Sequence, residues 1–76
     1  MTGFLVLACC GVNDVPMGLY ATADEAEAAA NAATEDKVQG VALSAFSLDA
    51  GKLLELKVIE MRGADLPRIV IHINRQ

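Results

Sequence analysis

Thr22-Ala23-Asp24-Glu25, followed by an alanine-rich run to Ala33, constrains the fold of this 76-residue chain more than any other segment. The Thr22 hydroxyl can accept from the Glu25 backbone N–H while the Glu25 carboxylate reaches back to the N–H of Thr22. Asp24 and Glu27 then sit near the positive end of the helix dipole. The pattern predicts a helix from about Ala23 to Ala33 or Thr34. Ala26, Ala29, Ala30 and Ala33 form one stripe at helical spacing, opposite Asp24, Glu27, Asn31 and Glu35. An alanine face lets helix and sheet backbones approach closely but buries little area per residue, so larger side chains must come from strands.

Strands are expected on both sides of that helix. Gly3 to Cys10 is apolar on both faces and of strand length, which places it within a sheet rather than at a wet edge. Val15-Pro16-Met17-Gly18 fits a type I turn, and Met17 to Ala21 is expected to return as a brief second strand. Thr34 to Lys37 reads as a polar connection. Val41 to Leu48 reads as a third strand, Asp49 to Lys52 as a turn, and Leu53 to Met61 as the next strand. A loop containing Gly63 and Pro67 leads into Arg68 to Asn74, where Ile69, Ile71 and Ile73 alternate with more polar neighbours.

Keeping both apolar sets on one face selects an antiparallel register for the last two strands. It pairs Val58 with Ile69, Leu56 with Ile71 and Leu54 with Ile73, and sets Glu55 opposite His72. The preceding hairpin, with a four-residue turn, would pair Leu43 with Val58 and Ala45 with Leu56. The fold class expected is therefore α+β. A single, mostly antiparallel sheet of four or five strands carries one helix on one face, in the order β, short β, α, β, β, β. Residues 1–76 are expected to form one domain, near the size at which a single core is only marginally sufficient.

Composition excludes several classes. Apolar residues make up 54 % of the chain, which is too many for disorder, while aromatic residues are only 4 %. Net charge is −4, which opposes binding to a phosphate backbone, so nucleic acid is not an expected partner. No stretch approaches the roughly 20 apolar residues of a membrane span. Phe4 to Cys9 ends in Ala-Cys as a lipoprotein leader does, but a leader needs a basic start and a longer apolar run than this one. The expected setting is cytoplasmic.

Charge is unevenly spread. Residues 1–51 sum to −6 and residues 52–76 to +2, so an acidic helix beside a mixed sheet, or complementary contact between subunits, would both fit.

No phosphate-cradling glycine loop, nucleophile elbow, zinc spacing or calcium loop matches the chain. Cys9 and Cys10 are adjacent, so a strand would point them to opposite faces, and they are expected as reduced thiols, one in the core. His72 is the sole histidine. No catalytic residue, cofactor or metal site is expected, although a thiol enzyme using Cys9 or Cys10 with His72 is a conceivable third reading.

One three-turn helix is too narrow to cover such a sheet. The uncovered face is expected to carry Phe46, Leu48, Leu53, Ile59 and Val70, and apolar patches of that kind mark interaction sites. The leading expectation is a noncatalytic interaction or oligomerisation module, forming a homodimer and open to a further protein partner. The alternative is a small-molecule carrier or sensor with a site at a subunit interface, where Tyr20, Arg68 and His72 would supply polar contacts.

Overall fold

The computed structural model describes residues 2–11, 13–46 and 52–75. It is an α+β fold: β1 (Thr2–Cys10), β2 (Asn13–Tyr20), α1 (Ala23–Ala32), α2 (Glu35–Phe46), β3 (Glu55–Arg62) and β4 (Arg68–Asn74). The strands form one four-stranded antiparallel sheet in the order β2-β1-β3-β4. The strand that is apolar on both faces, β1, therefore lies inside the sheet, as its composition requires.

The helix start is built as its sequence dictates. Thr22 is extended, at φ −129° and ψ 155°, and its hydroxyl accepts from the Glu25 N–H at 3.2 Å. Ala26 and Ala30 are fully buried, Ala33 is buried just beyond the helix, and Ala29 is half-buried. They meet Val6, Ala8 and Cys10 of β1, Val15 of β2, and Leu56 and Val58 of β3 in one apolar cluster. Alternation along each strand makes these residues a single face of the sheet.

Three expectations are corrected. The first concerns Val41 to Leu48, which was expected as a strand: residues up to Phe46 belong instead to a second helix, and Leu48 lies outside the described residues. The pairings of Leu43 with Val58 and of Ala45 with Leu56 do not exist, because β3 takes β1 as its neighbour. Thr34 explains the helix. Its hydroxyl accepts from the Lys37 N–H at 3.3 Å, and Glu35 and Asp36 fill the first turn, so the supposed connection is a second capped start. Val38 is fully buried and Val41 packs against the same cluster, so α2 shares the helical layer with α1.

The second correction concerns Pro16, expected in a turn but found within β2. Because β2 is an edge strand, the missing N–H of Pro16 need cost no ladder bond. The reversal occurs instead around Gly11, whose φ of 77° favours glycine. An irregularity between Val6 and Leu7 lets Val6 pair with Gly18 and Leu7 with Pro16.

The third correction is the β3–β4 register. Val58 pairs with Ile71 and Leu56 with Ile73, two residues further along β4 than expected. A shift of two leaves side chains on their own faces, so Ile71 and Ile73 still point to the core. Ile69 does not. The ladder slips between Val58 and Ile59, where Val70 is the extra residue, so Ile69 pairs with Ile59 and turns to the opposite face, 56 % exposed.

Candidate functional site

With both helices on one side, the sheet's other face is left open among the described residues. A row of apolar side chains crosses all four strands there: Leu19 pairs with Leu5, Leu5 with Ile59, and Ile59 with Ile69. Leu19 is 67 % exposed, and Met61, also on this face, is 40 % exposed. Leu5 and Ile59, in the middle of the row, are half-buried.

At the end of the sheet where β1 begins, this face deepens into a groove of about 540 Å³. Thr2, Gly3, Leu19, Tyr20, Ala21, Met61 and Gly63 line it. Gly3 keeps its floor open, because a β-carbon there would come within 3.0 Å of Leu19 Cδ1. Gly63, at φ 52°, forms the turn at its rim.

The opposite end of the face is polar. Cys9, Gly11, Asp14, Leu54, Glu55 and Lys57 surround a smaller hollow of about 270 Å³. His72 Nε2 lies 2.6 Å from Glu55 Oε2, and Lys57 Nζ lies 3.5 Å from Glu55 Oε1. The hydrogen bond from His72 holds the Glu55 carboxyl below its ordinary pKa, with help from Lys57. In register His72 faces Lys57 rather than Glu55, so its contact with Glu55 is diagonal.

Both thiols are unbridged and buried. Cys10 belongs to the core beneath the helices, whereas Cys9 faces the polar hollow. Burial, reinforced by the adjacent Asp14 carboxylate, pushes the Cys9 thiol up to about 11. Cys10 is raised by the same two causes and by Glu35. A reactive thiol is a depressed one, and both thiols here are raised, so neither has the thiolate character that thiol catalysis uses. No cluster of three or more His, Cys, Asp or Glu side chains suited to a metal occurs among the described residues.

The residues singled out from sequence distribute as follows. Ile59 lies on the open face and Val70 sits at the β4 bulge, 40 % exposed. Leu53 does not belong to the open face; it is buried in the core beneath the helices, at 4 % exposure. Phe46 ends α2 rather than standing on a strand, which removes the basis for placing it on this face. Tyr20 lines the groove, Arg68 donates to Glu60 at 3.1 Å, and His72 holds Glu55, so the three do not converge on one ligand position. Sequence reasoning missed Leu5, Leu19, Met61 and Ile69 as the face's apolar members. It also missed Glu60, a buried carboxylate clasped by Arg62 at 2.7 Å and Arg68 at 3.1 Å. The signal for Leu5 was present in the two-sided apolarity of β1, which alternation converts directly into an outer set.

No helix among the described residues is long and apolar enough to cross a membrane. In comparisons with known proteins, no family, curated protein or solved structure matches the chain.

Proposed function

We propose that this chain is a small noncatalytic module that works by protein contact, beginning with its own copies as a homodimer in the cytoplasm. One observation carries the reading: an apolar row spans the sheet from Leu19 to Ile69 on the face that the helices leave open. Patches of this kind on small soluble proteins mark interaction sites, and burying their large side chains supplies about 1.5 to 3 kcal/mol each. The two unbridged thiols are in keeping with a reducing compartment.

Sedimentation velocity across a wide concentration series tests the reading. A dimer that strengthens with concentration and dissociates on Leu5→Asp substitution is the expected result; a particle that stays monomeric throughout and binds no apolar dye overturns it.

The groove beside Tyr20 supports a second reading, a site for a small apolar ligand. Its volume of about 540 Å³ falls within the usual range for such sites, and Leu19, Ala21 and Met61 give it an apolar lining. A metabolite screen that raises the melting temperature in a manner abolished by Leu19→Asp would favour it.

A further inference from the structure

We infer that the cross-strand pair of Glu60 and Arg68, on the side of the sheet that the helices cover, fixes the register of β4 and thereby chooses which of its side chains stand on the open face. The inference is independent of what that face contacts. It gives a positioning role to a pair that lines neither the groove nor the polar hollow.

The ladder has two arrangements open to it. From Asn74 back to Ile71, β4 follows β3 in regular register, with Glu55 opposite Asn74 and Val58 opposite Ile71. Continued without a bulge, it would set Ile59 opposite Val70, Glu60 opposite Ile69 and Met61 opposite Arg68. Alternation would then carry Ile69 to the covered side after Ile73 and Ile71, and would bring Arg68 onto the open face beside Met61, which lines the groove. The chain does the reverse. Val70 is left over, Ile59 pairs with Ile69, and Glu60 pairs with Arg68. By apolar burial alone this is the poorer choice, since it leaves Ile69 56 % exposed and interrupts the ladder.

Glu60 supplies the compensation. It is buried, alternates onto the same side as Leu56 and Val58, and stands opposite Phe4 of β1, which packs against the core. A carboxylate in that position needs cationic donors. Arg62 is one, at 2.7 Å, but it lies two residues along the same strand and stays on the side of Glu60 in either register. Arg68 is the donor whose place depends on the bulge. Its Nη2 comes within 3.1 Å of Glu60 Oε1 because the slip sets the two residues opposite each other. One polar contact on the covered side thus withdraws a guanidinium from the open face and places an isoleucine at the end of the apolar row.

Cross-strand backbone NOEs in isotopically labelled protein read the register directly. The parent should connect Ile59 with Ile69. Arg68→Ala, a truncation of a largely exposed side chain that spares the core, should move the contact of Ile59 by one residue to Val70. Glu60→Leu, which removes the need for a donor, should do the same. Arg62→Ala should keep the parent pattern, because that arginine carries no register information. Persistence of the contact between Ile59 and Ile69 in Arg68→Ala overturns the inference and assigns the bulge to the loop before β4; an equal shift in Arg62→Ala overturns it as well. Should Glu60→Leu fail to fold, Arg68→Ala decides alone.

Discussion

Arg75 donates through Nη2 to the Asn31 carbonyl at 2.7 Å, joining the residue after β4 to the last turn of α1. The same nitrogen reaches Ala30 O at 3.2 Å and Ala33 O at 3.3 Å, while Lys37 Nζ donates to Ala32 O at 3.3 Å. α1 carries no basic residue in its own last turn, so the cations that favour its negative end come from elsewhere in the chain. Arg75→Ala should lower stability by about 1 to 2 kcal/mol, because it leaves several helix carbonyls without their charged donor. Urea unfolding measures the loss, and Arg75→Lys should restore only part of it, since the shorter lysine side chain does not carry its nitrogen as far as Nη2 reaches.

Overfilling the helix contact should cost more than removing a surface group. Ala30 is fully buried against the sheet, so Ala30→Leu forces helix and strands apart and should destabilise by about 1 to 3 kcal/mol. Thr22→Ala, which deletes the cap on the same helix, should cost about 1 kcal/mol. Thermal melts of the two variants order the effects. A neutral Ala30→Leu would mean that the layer has slack which the alanine stripe does not reveal.

Acid should weaken the fold through Glu55. Its carboxyl is lowered in the folded chain, first by the hydrogen bond from His72 and then by Lys57, against an ordinary value of 4.5. A depressed carboxyl adds stability that is present above the unfolded value and is lost as pH falls through the folded one. The urea midpoint of the parent protein should therefore drop below about pH 4.5. Glu55→Gln should show a smaller drop, and the two curves should converge in acid. Because the group is partly exposed, added salt should shrink the difference.

The thiols offer a check on packing. With Cys9 pushed up to about 11 and Cys10 also raised, native protein at pH 8 should react slowly with a thiol reagent. Both sites should titrate after denaturation. Fast reaction of one thiol in the folded state would show that the polar hollow opens readily.

Much of the fold could be read from local chemistry. Thr22 and its acidic neighbours specify α1, the two-sided apolarity of Gly3 to Cys10 specifies an interior strand, and the alternation of Ile71 and Ile73 specifies an inward face. What escaped depended on contacts between distant residues. Taken with its sequence neighbours alone, Val41 to Leu48 reads as a strand. The structure shows that Thr34 repeats the capping role of Thr22 and that Val38 and Val41, three apart, turn toward the same core. The bulge at Val70 has no local signature, and it alone decides that Ile69 belongs to the open face. Sequence reasoning anticipated an uncovered apolar face but drew Phe46 from a segment that is helical and Leu53 from the side that the helices cover. A second helix narrowed the deficit on one side of the sheet and left the other side bare.

β1 pairs with β2 across a tight reversal at Gly11 and with β3 across the span of both helices, as in the match of Val6 with Val58. Closing that long loop loses chain entropy before any contact rewards it, so the rate of folding should be governed by the arrival of β3 rather than by the early hairpin. Until then a nascent chain presents a two-stranded ribbon with greasy side chains on both surfaces, an invitation to stray pairing. The helices that later roof one surface are synthesised between these two strands, which places the roof in hand before the sheet it must cover is complete.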